Sequence, residues 1–185
     1  SFVDRTGSED LEPPRQTSSL SLPDDEAKIL SFDVWSTLLH RECHPDEIKL
    51  QSARFLLLKN WSRLKPAYQD LNVLYEARLR SENASAPNNE HEYRFCDAML
   101  LWIDEVSEAG LSVSERADIY ESLLKHEMQA EVRSTYTDPA TTALARNSKS
   151  TKVFLSDFYM NGLFMDDLLR RHEIRSLFAK GYVSS

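Results

Sequence analysis

The chain has 185 residues and a formal net charge of −8. This acidic balance argues against a nucleic-acid-binding protein, because such proteins concentrate Lys and Arg on one face. The sequence contains no apolar run of about 18 residues and no basic, apolar leader in its first thirty residues, so we expect a cytoplasmic protein without membrane contacts.

The N-terminal residues 1–26 are rich in Ser, Pro, Asp and Glu. Their few apolar side chains cannot offset the entropy lost on ordering, so we predict a flexible lead-in. From Lys28 the run KILSFDVWSTLL is apolar and β-rich, which is typical of a buried strand. One carboxylate, Asp33, interrupts this run, although an unpaired buried charge would be costly.

The middle of the chain, from about Arg41 to Ser150, shows helical spacing of its apolar residues. Prolines, a glycine and capping residues divide it into five predicted helices. Pro45 marks the start of a first helix over about 45–63, and Pro66 marks the start of a second that ends before 83–89. Gly110 marks the end of a third helix. Ser112 with Glu115 marks the start of a fourth, and Asp138-Pro139 marks the start of a short fifth.

The last part of the chain returns to a strand pattern. Residues 151–157 and 180–185 read as strands, and the segment from Met160 to His172 between them reads as a helix. Strand, helix and strand at this spacing predict a parallel βαβ unit. We therefore expect an α/β core from 27–40 and 150–185, with residues 41–149 inserted between its first two strands.

Two polar residues fall near the carboxyl ends of these strands, Asp33 and Ser156. Open α/β sheets place ligands beyond the carboxyl ends of their parallel strands, so both side chains could face one crevice. The alternative is that Asp33 caps a turn and Ser156 bonds a nearby backbone group. The residue pattern leaves both interpretations open.

The stretch FDVWSTLL resembles the first motif of the haloacid dehalogenase (HAD) superfamily, in which an aspartate is followed four and five residues later by Thr and Leu or Val. Those positions are Asp33, Thr37 and Leu38. The stretch VFLSDFYM at 153–160 resembles the second motif in its SDxY form, and GYVSS resembles the strand that leads toward the third. The resemblance implies a partial HAD-like Rossmannoid parallel sheet of about three strands, with a large all-helical cap inserted after the first.

The resemblance also implies roles for residues of this chain. Asp33 would be the nucleophile, forming an aspartyl-phosphate intermediate, while Ser156 would hold a phosphoryl oxygen and Thr37 would support the first loop. Mg²⁺ would be bound by the Asp33 carboxylate and the Trp35 backbone carbonyl. Trp35, Ser36 and Asp157 would contact the substrate, which would be a small phosphorylated metabolite.

Departures from the family pattern keep three hypotheses open. Trp35 stands where phosphatases of the superfamily carry an acidic group, Ser36 stands where a related branch has Asp, and the sequence stops before a third-motif lysine or a fourth-motif acidic pair. The chain could therefore be a Mg²⁺-dependent phosphatase, a HAD-like binding or assembly module without catalysis, or a dehalogenase-like hydrolase. Because a sheet of three strands leaves an apolar edge, we expect a chain that self-associates or lacks a C-terminal portion.

Two other groupings of polar residues carry weaker signals. Cys43, His44, His91 and Cys96 lack the short paired intervals of a tetrahedral zinc site. Glu127 and Glu131 lie four residues apart on one helical face, and although they could reach over the crevice, we favour a solvated face.

Overall fold

The structure is a computed structural model that describes residues 28–86 and 93–184. The predicted lead-in at 1–26 lies outside these residues. The described strands are β1 (Ile29–Asp33), β2 (Leu39–Arg41), β3 (Thr135–Thr137), β4 (Thr151–Ser156) and β5 (Lys180–Val183). The described helices are α1 (Pro45–Asn60), α2 (Leu71–Ser85), α3 (Phe95–Val106), α4 (Val113–Ser134), α5 (Pro139–Asn147) and α6 (Gly162–Arg171), with short 3₁₀ turns at Trp61–Arg63, Pro66–Tyr68 and Arg175–Leu177.

The core sheet contains β1, β4 and β5 in the order β1-β4-β5, and both pairings are parallel. This confirms the predicted α/β unit. One face of the sheet is buried under aromatic packing, in which the ring of Phe178 lies edge-on to Phe32 (5.7 Å) and to Phe154 (5.8 Å). Gly181 on β5 is needed for this packing, because a Cβ there would lie 1.8 Å from the Phe154 ring.

The opposite face of the same sheet carries large apolar side chains that are exposed. Ile29, Leu155 and Tyr182 come from three different strands and are 63%, 45% and 57% exposed. Burying such side chains is favourable by about 25 cal/mol per Å² of apolar surface, so this face is suited to cover by further protein.

A second, two-stranded ribbon joins the ends of the long helical segment. β2 and β3 are antiparallel, with Leu39 opposite Thr137 and Arg41 opposite Thr135. The sequence pattern does not reveal either strand, because three residues are too few to display alternation. The ribbon therefore brings the start and the end of the helical segment side by side.

The helical insertion, residues 45–134, contains α1 to α4. Its termini follow the predicted signals: Pro45 lies in the first turn of α1, and Ser112 and Glu115 form a reciprocal capping box at the start of α4. The helices enclose a common core that includes the fully buried Leu56, Leu74, Met99, Trp102 and Leu123. Across the described ranges, none of the helices has the combination of length and apolarity needed to span a membrane.

Candidate active site

Asp33 is the last residue of β1, and its side chain is exposed at the carboxyl end of the sheet. The carboxylate Oδ1 accepts a hydrogen bond from the backbone N–H of Val34 (2.9 Å), which in turn is fully buried. Parallel pairing continues past this point, since Val34 N–H also reaches the carbonyl of Leu155 (3.1 Å). Exposure of Asp33 removes the burial cost that the apolar run suggested, and no hydrogen bond to its second carboxylate oxygen is found in the described residues.

Ser156 ends the neighbouring strand β4 and is only 7% exposed. Its Oγ is buried and finds no hydrogen-bond partner within residues 28–86 and 93–184. The predicted alternative, a bond from this hydroxyl to a nearby backbone group, is thus not found in this part of the chain. Leaving a buried hydroxyl unpaired costs about 1–3 kcal/mol, so a hydrogen-bond partner for this Oγ would be stabilising.

The pairing of β1 with β4 brings these two residues to one edge of the sheet. Asp33 lies opposite Leu155, which directly precedes Ser156. Asp157 follows in the loop and is exposed. The ends of the two parallel strands therefore lie at one edge of the sheet, and no hydrogen bond joins the side chains of Asp33 and Ser156 in the described part of the chain.

The loop after β1 is a tight turn held by backbone hydrogen bonds. The N–H groups of Leu38 and Leu39 both donate to the carbonyl of Val34 (2.9 and 2.8 Å), and Ser36 N–H donates to the carbonyl of Leu39 (2.9 Å). Ser36 has φ of 58°, in the left-handed region that is costly for most residues other than glycine. Thr37 is half-buried within this turn. The turn fixes the backbone directly beyond Asp33.

The side chain of Trp35 fills the space between the two loops of the site. Its ring packs on Phe158 with centroids 4.9 Å apart, and the guanidinium carbon of Arg41 lies 3.8 Å from the Trp35 ring centroid. The indole Nε1 is buried without a hydrogen-bond partner in the described ranges. An indole N–H does not transfer protons at neutral pH, so Trp35 contributes shape and packing rather than acid–base chemistry.

A buried ionic cluster lies next to this contact. Glu131 of α4 accepts two hydrogen bonds from Arg41 (3.0 and 3.1 Å) and one from the hydroxyl of Tyr159 (2.9 Å). The Tyr159 hydroxyl also lies 3.1 Å from an oxygen of Glu127. Burial is the main cause that raises the pKa of Tyr159 well above its usual value, so the phenol is neutral and acts as a donor.

The cluster continues into the helical insertion through Arg78, which is fully buried. Its guanidinium pairs with Glu82 (2.9 Å) and Glu127 (3.3 Å), and Ser52 donates to Glu127 (2.8 Å). Burial alone would lower the pKa of Arg78, but the two carboxylates outweigh it and the pKa is raised. Burial raises the pKa of Glu127.

The prediction of a solvated face for Glu127 and Glu131 is wrong, since both are 0% exposed. Sequence reasoning also missed Arg78 as a core residue. A usable signal was present: two acids four residues apart repel each other on an exposed helix, so the Glu127–Glu131 spacing favours cationic partners from elsewhere in the fold.

No group of three or more His, Cys, Asp or Glu side chains that could hold a metal ion occurs in the described parts of the chain. Cys43 and Cys96 are free thiols there, whereas His91 lies outside the described residues. The backbone hydrogen bonds of the loop after β1 use the carbonyls of Val34 and Leu39, and none found within the described ranges uses that of Trp35.

Comparison with known proteins rests on structure. No family model matches the chain, and no curated protein sequence does so either. The crystal structure of a candidate beta-phosphoglucomutase from Thermotoga maritima superposes with a TM-score of 0.52 at 9% identity, covering 85% of this chain and 61% of the other. The chain has the haloacid dehalogenase-like fold.

A haloacid dehalogenase-like hydrolase from Streptococcus pneumoniae also matches, with a TM-score of 0.40, 14% identity and the same coverage of both chains. The HAD-like chain described here thus spans about three fifths of the length of these two solved structures. At such low identity the comparison concerns the fold, and the fold is the one that the two motifs predicted.

Proposed function

We propose that this chain carries the nucleophile of a HAD-type hydrolase that removes phosphate from a small phosphorylated metabolite in the cytoplasm. One observation supports this above the others: an exposed carboxylate, Asp33, ends one strand, and a buried hydroxyl without a partner in the described residues, Ser156, ends its parallel neighbour. Two free thiols are in keeping with a reducing compartment.

The proposed reaction proceeds in two displacements at phosphorus. The Asp33 carboxylate attacks the phosphoryl group, an O–P bond to it forms, and the O–P bond to the alcohol breaks; the leaving oxygen takes a proton from water. Water then attacks the acyl phosphate, releasing inorganic phosphate and regenerating the carboxylate. Ser156 donates its hydroxyl hydrogen to a phosphoryl oxygen, while Ser36 and Asp157, both exposed beside these groups, contact the remainder of the substrate.

A magnesium ion fits the oxygen donors at this edge. It would be held by the carboxylate of Asp33 and the carbonyl of Trp35, for which no backbone donor is found in the described part of the chain. Mg²⁺ commonly keeps several waters and takes only one or two carboxylates, so the lack of a three-residue acidic cluster in that part is compatible with it. When bound, it would reduce the repulsion between the carboxylate and an anionic phosphate.

Hydrolysis of p-nitrophenyl phosphate by the purified protein tests the proposal. We expect Mg²⁺-dependent turnover that falls by about a thousandfold or more in Asp33→Asn and by roughly 100-fold in Ser156→Ala. Asp118→Asn, on the exposed side of α4, is the matched control and should keep full activity. Equal turnover by the parent protein and Asp33→Asn would remove Asp33 from the mechanism.

Two alternatives are favoured by Trp35, which occupies the position of the usual acid and is packed against Phe158. A binding or assembly module would show no turnover of any phosphate ester or haloacid while remaining folded. A dehalogenase-like hydrolase would release halide from a 2-haloacid and would keep that activity after chelation with EDTA. The phosphatase would lose turnover on chelation and regain it with Mg²⁺.

A further inference from the structure

The two loops that carry the candidate site are joined to the helical insertion by one carboxylate. We propose that Arg41 and Glu131 are positioning residues, which together with Tyr159 form a clasp that makes the insertion hold Asp33 and Ser156 in mutual register. The role of the clasp in catalysis rests on the proposed hydrolase function. The mechanical link that the clasp makes between the two loops can be tested without measuring turnover.

The first arm of the clasp reaches the loop after β1. The side chain of Arg41 is 17% exposed, and its guanidinium covers the face of Trp35 at 3.8 Å while pointing its Nε and Nη2 toward Glu131. A cation over the face of an indole is attracted by the ring electrons, and the attraction is stronger where water is excluded. A planar guanidinium can stack and pair bidentately at the same time, whereas lysine cannot.

The second arm reaches the loop after β4. Tyr159 lies three residues beyond Ser156, and its hydroxyl donates to Glu131 at 2.9 Å. The backbone carbonyl of Tyr159 also accepts from the N–H of Phe95 at the start of α3 (3.0 Å). The side chain and the backbone of one loop residue are therefore both attached to the insertion.

Glu131 joins the two arms. Its side chain is 1% exposed and accepts from both Arg41 and Tyr159, which come from elements more than a hundred residues apart in sequence. A buried carboxylate is stable only when such donors surround it, so removing its charge weakens both arms together. Trp35 and Phe158 close the gap between the loops directly (4.9 Å), which makes a closed ring of contacts.

The far side of the clasp is anchored in the core of the insertion. The Tyr159 hydroxyl lies between Glu131 and Glu127, and Glu127 is paired with the fully buried Arg78. The helices of the insertion and the two loops must therefore move as one unit or break a buried ionic contact. Attack by Asp33 on a phosphoryl group held by Ser156 is sensitive to misplacement of about 1 Å, which gives this coupling a role in catalysis.

Hydrogen exchange provides the first test, applied to Glu131→Gln, Tyr159→Phe and the control Asp167→Asn, which removes a carboxylate from the exposed Asp167–Arg171 pair on α6. Three amides report on the loops: those of Leu38 and Leu39 in the first, and that of Phe95, which is bonded to the second. We expect exchange at all three to rise tenfold or more in Glu131→Gln, with no change in the middle of α2 and none anywhere in the control.

Kinetics provide the second test. We expect kcat on p-nitrophenyl phosphate to fall at least tenfold in Glu131→Gln and in Arg41→Lys, with KM changed less than twofold. Arg41 Nη2 and the Tyr159 hydroxyl both donate to Oε1 of Glu131, so the effects of Arg41→Lys and Tyr159→Phe on kcat should be non-additive.

Several results would overturn the clasp. Exchange that rises in one loop alone, or that rises equally throughout α2, would show a local or a general loss of stability instead. If Glu131→Gln does not fold, the same amides measured in Tyr159→Phe decide the question. Absence of turnover in the parent protein would refute the proposed function, while the exchange pattern would still accept or reject the mechanical link.

Discussion

Replacing Arg78 with Met should destabilise the protein strongly, because it removes the cation from the centre of a buried ionic cluster. Arg78 is 0% exposed and pairs with Glu82 at 2.9 Å and Glu127 at 3.3 Å. Breaking a buried pair by removing one partner typically costs about 3–5 kcal/mol. Met keeps the apolar contacts with the surrounding aromatic rings, so the loss reports on charge.

Two features of the cluster reduce this cost. Glu82 retains a second cation, Lys49, at 2.8 Å, while Glu127 retains hydrogen bonds from Ser52 and Tyr159. We therefore expect the free energy of unfolding to fall by an amount near the lower limit of that range, about 3 kcal/mol at neutral pH. For a protein of this size that corresponds to a melting temperature lower by roughly 6–12 °C.

The loss in Arg78→Met should depend on pH in a defined direction. Burial already raises the pKa of Glu127, and removing the guanidinium raises it further. The folded state then binds a proton that the unfolded state releases, so the variant becomes less stable as pH rises above the unfolded value of about 4.5 and recovers as pH falls toward it. The double variant Arg78→Met/Glu127→Gln should recover more than half of the loss at neutral pH.

Urea unfolding followed by tryptophan fluorescence measures these changes, since the ring of Trp102 lies 5.6 Å from the Arg78 guanidinium. Arg80→Met is the matched control: it lies on the same helix, is 55% exposed and pairs with Glu105, so it should cost about 0–1 kcal/mol. The reasoning is refuted if Arg78→Met costs no more than Arg80→Met, or if adding Glu127→Gln restores nothing.

Two further predictions concern other parts of the molecule. Asp138 caps α5 by accepting a hydrogen bond from the N–H of Thr141 (2.6 Å), and this bond lowers the pKa of the Asp138 carboxyl below its usual value of 3.8. Asp138→Ala should therefore lower the free energy of unfolding by about 1 kcal/mol above pH 3.8. In chemical denaturation, the stability difference between the parent protein and the variant should vanish as the pH falls through the lowered pKa. The exposed sheet face of Ile29, Leu155 and Tyr182 should make the 21.3 kDa chain self-associate. Light scattering should show an average mass that rises with concentration and drops in Leu155→Ser, whereas a constant monomer mass for the parent chain would contradict the prediction.

The elements with strong local signals could be predicted from the sequence. The runs around Phe32 and Phe154 are rich in apolar residues, and this composition identified both strands although the face that carries Ile29 and Leu155 is exposed. The start of α4 was predictable because Ser112 and Glu115 satisfy each other within one turn. The structure confirms that the two strands are parallel neighbours, whereas a shared site for Asp33 and Ser156 stays a prediction.

The remainder depends on contacts between distant parts of the chain. Glu131 looks like half of a solvated acidic face until its partners are known, and those partners are Arg41 of β2 and Tyr159 of the loop after β4. The packing of Trp35 against Phe158 is equally invisible, because no local period links residues so far apart. A pattern in one segment shows what that segment can do alone, and buried ionic contacts are properties of pairs.

The antiparallel ribbon of β2 and β3 has a consequence for folding. Ile29 and Thr151, which are opposite each other in the core sheet, are separated by about 120 residues of chain, and closing so long a flexible loop is entropically unfavourable. With Arg41 already opposite Thr135, that separation shrinks to the short connections on either side of the ribbon. We therefore expect the helical insertion to fold first and the ribbon to form next. The parallel sheet should assemble last, at a rate limited by formation of the ribbon.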